Sequence, residues 1–484
     1  MTKLRMDIMI RKDKYANKIR ELINNISDVS VRSLYVKNKS IYILYIPQIT
    51  NKERLSEEII KPIIQYSGNH DITEDLIMKS VIYLDEVFCA NDENEISNYI
   101  LDGKSIIIIS DCEKYLVANT LKVEKRSVES PAVQSSARSP KDAFVEAIDV
   151  NISLIRYRIR NSALKIDYYS VGKRTKTSVA VIYIEDIANP TYVAEIKNRI
   201  QKINVDGILE SGYVQKFISD GSNNLFPQTG ICERSDEACA DILDGKVCIL
   251  VNGSNLALIA PKTFIEFFDA GDDHYENVYF GIFLKFIRFL SLIISLTLSS
   301  IYVAVVGFHS DFLPSQYILA IAASRVGVPV NSALEATIME IILELLREAN
   351  LRLPKKIGTS IGIVGAIVIG QALVAAGLVS SPIIIIVALS SLASYAVPDF
   401  TIITPIRILK FLMIFLTAVF GLFGFAMGLS IIMIKLASTT SFDVPYTSPV
   451  SPFSFKAMKN FIFSNVTQSK ERPEYLDLKD KTRE

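Results

Sequence analysis

Three stretches without a charged side chain constrain this chain more than any other feature. Phe289–Ser310 runs 22 positions, Ile357–Pro398 runs 42 and Phe411–Ile434 runs 24 with no Asp, Glu, Lys or Arg. A helix needs about 20 apolar residues to cross a hydrocarbon core of roughly 30 Å, and there every backbone polar group must be satisfied internally. Buried helices of soluble proteins rarely stay uncharged for so long, so these stretches are expected to lie in lipid. Charge is partitioned accordingly. Positions 281–434 carry 15 charged residues in 154, whereas the other 330 positions carry 89.

The expected class is an α/β soluble N-terminal region of two modules, followed by an α-helical polytopic membrane domain and a short polar tail. The boundaries read as a first α/β module over 1–125, a linker over 126–141 and a second α/β module over 142–275. A transmembrane helical domain of about four to five spans covers 281–434, and the tail covers 435–484. In the first module, Val31–Val36 and Ser40–Ile46 read as a hairpin around Lys37-Asn38-Lys39. Lys104–Ser110 reads as a central strand, and helices are expected over Asn51–Ser67 and Thr73–Lys79. In the second, a helix is expected over Asp142–Asn161, strands over Ser178–Ile184, Lys246–Val251 and Leu256–Ala260, and helices over Thr191–Ile203 and Asp236–Leu243.

Met1–Arg20 is charged throughout and has no apolar core of a signal peptide, which predicts a cytoplasmic N-terminal region. Lys285 and Arg288 read as snorkelling residues at the start of the first span. Lys355, Lys356, Arg407 and Lys410 read as cytoplasmic flanks under the positive-inside rule. Five crossings would place the tail outside. If the segment after Pro314 or the one after Pro382 does not cross, the tail returns to the cytoplasm.

Enzyme chemistry finds no foothold. There are three histidines and no phosphate loop, zincin motif or nucleophile elbow. Cys89, Cys112, Cys232, Cys239 and Cys248 lack the close pairing of a zinc site and read as reduced structural thiols. A formal net charge of zero gives no electrostatic case for nucleic acid. The expectation is a protein that is not an enzyme and carries no cofactor or metal.

Asn331–Lys356 is the most informative stretch. At helical spacing Glu340, Glu344, Arg347 and Glu348 share one face, and Ile338, Ile342, Leu345 and Leu346 the opposite one, where Glu335 also falls. Two readings stay open. One is an interfacial helix with solvent-facing charges. The other is a membrane helix whose acidic face meets a water-filled path or a protein interior, because ionisable groups at depth are costly. On the second reading Glu340 and Glu344 favour cations. Glu335, among apolar residues, must be protonated or paired, with Arg325 or with another subunit. Beyond it, Gly358, Gly362 and Gly370 recur with small residues between them at four-residue spacing, a face on which a second helix can pack closely.

Glu335–Pro354 (EATIMEIILELLREANLRLP) and Gly358–Pro382 (GTSIGIVGAIVIGQALVAAGLVSSP) together resemble the signature of the A subunits of GerA-type spore germinant receptors. Phe226-Pro227-Gln228 with Glu233-Arg234 resembles that family's soluble loop, and Ser441–Pro452 (SFDVPYTSPVSP) its tail. The resemblance runs in order over essentially the whole chain. Asn350 and Asp443 stand where the pattern has Gly, and Ser235 where it has Pro.

The resemblance implies a nutrient germinant receptor subunit in the spore inner membrane, with its N-terminal region on the core side. It implies a transporter-like B subunit and a lipoprotein C subunit as partners, and homo-oligomerisation through the membrane domain into a ligand-gated cation channel. A non-conducting scaffold and a secondary transporter are the competing readings. The transporter would want more spans and paired broken helices in two repeats.

Overall fold

The computed structural model describes residues 19–22, 26–122, 140–221, 224–275, 277–352, 368, 370–463 and 471–483. The chain forms two compact units. One comprises Met1–Ser222, Ile231–Pro261 and Lys470–Glu484, and the other Asn223–Gly230 and Lys262–Ser469. The architecture is a mixed α/β region with two sheets, followed by a helical region that holds two long apolar helical segments. The expected linker, 126–141, falls almost wholly outside the described residues.

The first sheet is built from β1 (Ser30–Val36), β2 (Lys39–Tyr45), β3 (Val87–Ala90), β4 (Lys104–Ile109) and β5 (Tyr115–Asn119), in the order β1-β2-β4-β5-β3. Every pairing is antiparallel. Val36 pairs with Lys39, so Lys37 and Asn38 make a two-residue turn, both with positive φ (49° and 61°), the twist a tight hairpin requires. Both faces of β4 are covered. Ile107 and Ile109 pack with Ile41, Ile43, Ile59 and Ile63 on one side, and Ile106 and Ile108 with Leu44, Ile96, Ile100 and Val117 on the other. That two-sided burial is why Lys104–Ile109 reads as a continuous apolar run without alternation.

The second sheet comprises β6 (Leu164–Val171), β7 (Thr177–Ile184), β8 (Gly230–Cys232), β9 (Val247–Val251) and β10 (Ala257–Ala260), ordered β6-β7-β9-β10-β8. This is the strand order of the first sheet repeated. A helix precedes the middle strand in each: α1 (Ile96–Leu101) before β4, and, beyond α2 (Ile148–Arg158), α3 (Pro190–Gln201) and α4 (Ser211–Ile218), α5 (Ser235–Leu243) before β9. Both junctions carry the same five residues, Ile100-Leu101-Asp102-Gly103-Lys104 and Ile242-Leu243-Asp244-Gly245-Lys246. In each the Gly N–H returns to the Ile carbonyl at 3.0 Å, and the Gly adopts positive φ, 79° and 90°. Such a left-handed glycine ends a helix without steric cost. The region is therefore one supersecondary plan used twice.

Helix α2 begins six residues later than the sequence predicts. The Phe144 N–H donates to the Glu233 carbonyl at 2.8 Å and Ala143 bridges Arg234, which holds the segment before the helix extended. Asn151 then receives the Val145 N–H and returns a bond to its carbonyl. At the other end Arg156, fully buried, pairs with both oxygens of Asp28 and donates to the Asn161 and Leu164 carbonyls. Four bonds satisfy a charge that burial alone would make expensive. All five cysteines are free, and burial pushes the Cys239 thiol up to about 12.

The helical unit contains α6 (Val278–Phe308), α7 (Ser315–Ser324), α8 (Ser332–Arg352), α9 (Ser381–Ser394), α10 (Phe400–Ser438) and α11 (Phe455–Phe463). As a straight rod α10 would extend about 58 Å, nearly twice a hydrocarbon core. It does not stay straight. Gly421 leaves helical geometry (φ 60°, ψ −138°) and the chain doubles back. Beyond it Gly424 lies against the Leu416 carbonyl, and a Cβ on Gly428 would stand 2.5 Å from Met413 Sδ. Met413, Leu409 and Ile406 of the first limb share a core with Ile432 and Leu436 of the second. The uncharged run Phe411–Ile434, expected to be one span, is a hairpin of two limbs whose glycines permit close contact.

The chain leaving α10 consequently returns to the residues that precede α6. After α10, β11 (Thr440–Ser441) and β12 (Val444–Pro445) form a hairpin turned by Phe442 and Asp443, with φ of 51° and 67°. Asp443 thus occupies a left-handed position that favours Gly. Tyr446 is buried among Phe226, Phe264 and Phe267, and its hydroxyl donates to the Pro227 carbonyl at 2.7 Å. Asn350, by contrast, is inside α8 and helical, so its substitution for Gly has no turn to serve. In the first unit, the segment 471–483 packs on the second module. Leu478 covers Gly245, and Arg472 donates to the Leu243 carbonyl at 2.9 Å.

The duplicated junctions make a quantitative comparison possible. Gly103→Ala and Gly245→Ala each force a β-carbon into left-handed backbone and against a leucine side chain, Leu121 or Leu478. Each should cost about 1–2 kcal/mol, and the two should add because the sites are separate. Urea unfolding followed by circular dichroism reads this, and a silent Gly245→Ala would remove the equivalence of the two turns.

Candidate functional site

Helix α8 is inside out by the standards of a soluble protein. Leu334, Ile338, Ile341 and Leu345 are 52, 38, 46 and 64% exposed, whereas Glu335 and Glu340 are 0 and 3% exposed. The sequence put Glu335 on the face opposite Glu340. Both are buried because neighbouring segments cover the helix from two sides.

Glu335 accepts the Ser380 backbone N–H, and Arg325 Nε lies 3.7 Å from its other carboxylate oxygen. Arg325 was one of the partners open to it on sequence grounds. Tyr302 of α6 reaches Ser380 Oγ at 3.2 Å, closing a polar cluster at the end of the bundle where α8 begins. About a turn and a half further, Glu340 accepts from Ser299 Oγ of α6 at 2.7 Å and from Lys410 Nζ of α10 at 3.1 Å. Lys410 is itself buried. Glu344 follows, held by Arg407 of α10 (Nε to Oε1, 2.8 Å) and by Arg347 (Nη1 to Oε1, 3.0 Å). Arg347 continues the line, donating to the Tyr395 hydroxyl at 3.1 Å and to Ser391 Oγ of α9 at 3.3 Å.

The three carboxylates and their cations form a ladder between helices. Residues 340 and 344 on α8 match 410 and 407 on α10 in reversed order, so the two segments run antiparallel at the contact. Coulomb attraction in a low-dielectric interior is strong, and it must be, because an unpaired charge there would cost several kcal/mol. Sequence reasoning missed this half of the site by reading Arg407 and Lys410 as a basic flank. Two cations three apart in an otherwise apolar run, opposite carboxylates four apart, were the available signal. Lys285 and Arg288 likewise do not snorkel. Lys285 pairs with Asp269 at 2.8 Å, and Arg288 with Asp273.

Gly358 and Gly362, with Lys355 and Lys356, lie outside the described residues. At Gly370 nothing approaches within 4 Å of where a Cβ would stand, so that side of the segment is open within one chain. The loop signature divides between the units. Phe226, Pro227 and Gln228 join the aromatic core under Tyr446, and the Gln228 carbonyl accepts from Ser441 Oγ at 2.7 Å. Glu233 and Arg234 belong to the α/β unit, where Arg234 holds Asp236 at 2.6 Å. Both are buried, which fits a structural part for this loop. Among the described residues no three His, Cys, Asp or Glu side chains are grouped to hold a metal.

The family model described as Bacillus/Clostridium GerA spore germination protein matches residues 17–475. Spore germination protein GerLA of Bacillus cereus is 36% identical over 469 residues, covering 96% of this chain and 95% of that protein. Spore germination protein KA of Bacillus subtilis (strain 168) is 34% identical over 469 residues, covering 96% and 86%. The crystal structure of the N-terminal domain of the A subunit of the Bacillus megaterium spore germinant receptor GerK3 aligns with 51% of this chain and 92% of its own, at 28% identity and a TM-score of 0.40.

The ladder makes a prediction about stability. Glu340→Gln leaves Lys410 buried and unpaired and should cost about 3–5 kcal/mol. Adding Lys410→Met to a Glu340→Met background should recover most of that loss, whereas Glu348→Gln, on the exposed end of α8, should be nearly silent. Thermal unfolding of the purified chain in detergent measures all three. A Glu340→Gln protein as stable as the parent would mean that the pair carries no structural weight.

Proposed function

The chain belongs to the Bacillus/Clostridium GerA spore germination protein family, and from that membership we propose that it is the membrane-embedded A subunit of a nutrient germinant receptor in the spore inner membrane. The observation that carries the membrane part is the inverted face of α8. A helix that hides carboxylates and displays Leu334, Ile338, Ile341 and Leu345 is suited to hydrocarbon. Its partners, on this proposal, are the transporter-like B subunit, the lipoprotein C subunit and further copies of itself, and it catalyses no reaction.

An even number of crossings is part of the proposal. The tail hairpin shares one core with Phe226 and Phe267, which precede α6 in the chain, and this supports entry to and exit from the membrane on the same side. The odd-numbered alternative treats Phe411–Ile434 as one span, and the fold at Gly421 supports the even count instead. With the N-terminal region on the core side, the tail lies there too. Cysteines placed at Asn38 and Lys481, with Cys89 and Cys112 changed to Ser, should react with an impermeant thiol reagent only after the membrane is opened. A cysteine at Phe312, in the loop after α6, should react in intact cells. Labelling of position 481 from outside would overturn the even count.

For mechanism, we propose that the ladder is the closed state of a cation-permeable path. Pairing with Lys410 and Arg407 cancels the carboxylates, and separation of α8 from α10 would leave Glu340 and Glu344 to attract cations. Glu335, tied to Ser380 and Arg325, would hold the end of the bundle about which such a movement occurs. A second reading, the non-conducting scaffold, draws support from the same pairs, since fully compensated charges also serve plain cohesion. The reconstituted receptor separates the two. Arg407→Gln should raise resting cation flux by leaving Glu344 to Arg347 alone, and Glu344→Gln should weaken cation preference in reversal-potential measurements. Absence of nutrient-dependent flux from the parent complex would favour the scaffold.

A further inference from the structure

Helix α11 and the approach to it are unaccounted for by the ladder, the hairpin or the loop signature. Its buried edge is Ala457. Phe455 is 74% exposed, and Ile462 and Phe463 also stand clear, with Lys456 and Lys459 exposed among them. Phe453, just before the helix, is 70% exposed. From 444 to 470 the chain has three lysines and no acid.

The position of α11 is fixed by α6. Lys285 Nζ donates to the Phe461 carbonyl at 3.0 Å and stands 4.6 Å over the Phe461 ring. Lys285 lies two turns into α6, where Tyr279, Phe280, Phe283 and Phe286 are exposed. The charged groups of this collar, Lys285 with Asp269 and Arg288 with Asp273, turn inward while the rings turn outward. The exposed rings of α11 continue that band around the same end of the bundle. Aromatic belts mark the level where hydrocarbon meets headgroups, and a short helix with Phe and Ile between lysines suits that plane, stems in the acyl boundary and ammonium groups among phosphates.

We propose that α11 lies in the membrane interface and binds anionic phospholipid, fixing the depth of the bundle through Lys285 and Phe461. This rests on the membrane reading above. The alternatives for the same face are a second copy of the chain or a protein partner. Phe and Lys without any acid favour an anionic lipid surface, whose potential attracts basic segments close to it.

The chain has no tryptophan, so a single Phe→Trp substitution supplies a unique depth probe. Phe455→Trp, Phe463→Trp and Phe423→Trp, the last on the exposed side of α10, would each be placed in the full chain and reconstituted in vesicles of phosphatidylglycerol and phosphatidylcholine. Brominated lipids with the halogen near to or far from the headgroup then quench by contact. Phe423→Trp should be quenched, which checks the membrane reading by itself. Phe455→Trp and Phe463→Trp should be quenched at least about half as strongly, and more by shallow bromines than by deep ones. Quenching of Phe423→Trp with neither α11 probe affected would overturn the interfacial helix and leave the membrane reading intact. Deep bromines outperforming shallow ones at position 463 would overturn it as well. An unquenched Phe423→Trp would instead remove the membrane reading on which the inference stands.

Discussion

A charged side chain removed from water must find its counter-charge, and the helical unit is arranged around that requirement. Glu335, Glu340 and Glu344 follow one another along α8 from its first turn, and each meets a cation from outside the helix: Arg325 before it, and Lys410 and Arg407 from α10. Hydrophobic attraction cannot align helices in lipid, since lipid tails are as apolar as leucine. Charge pairs can, because few positions offer a partner that relieves the burial of a charge. The ladder therefore sets the register of α8 against α10 in a way that the surrounding Ile and Leu side chains do not.

The second constraint is length. A straight 39-residue helical segment would run about 58 Å, and α10 avoids this at Gly421, where backbone geometry open to glycine reverses the chain. Gly424 and Gly428 then let the returning limb lie against Leu416 and Met413. The consequence reaches the tail. Because both limbs of α10 are used, Tyr446 arrives at the end of the bundle from which α6 departs, and two separated sequence signatures close one aromatic core.

Much of this was legible in the sequence, and the failures have physical causes. The hairpin at Lys37-Asn38 and the strand Lys104–Ile109 followed from turn chemistry and β-branched runs. The acidic helix follows from its pattern, and so does the requirement that Glu335 be protonated or paired, with Arg325 among the partners open to it. What periodicity could not supply was the covering of both faces of α8, which places Glu340 at the same depth as Glu335. Nor could hydropathy see Gly421, since a hairpin and a rod of equal composition score alike. The flank reading of Arg407 and Lys410 failed for a related reason: basic residues near an apolar run look the same whether they face headgroups or carboxylates. The five residues Ile-Leu-Asp-Gly-Lys occur twice in the sequence, but so short a match marks no repeat until the strand orders on either side are seen to agree.

The two kinds of cohesion in the helical unit differ in how they can change. The core under Tyr446 is aromatic and close-packed, and parting it would open cavities whose cost rises with volume. Charge pairs are different. Their energy falls steeply once water enters, because water screens the attraction and solvates both partners at the same time. A bundle held by rings at one end and by ion pairs along its length is therefore stiff where it is dry and apolar, and switchable where it is charged. Any movement of α8 away from α10 would exchange Glu–Lys and Glu–Arg bonds for hydration at modest net cost while the aromatic end stays shut. On the proposed function, that asymmetry would let the subunit rest closed and still respond to a small differential binding energy.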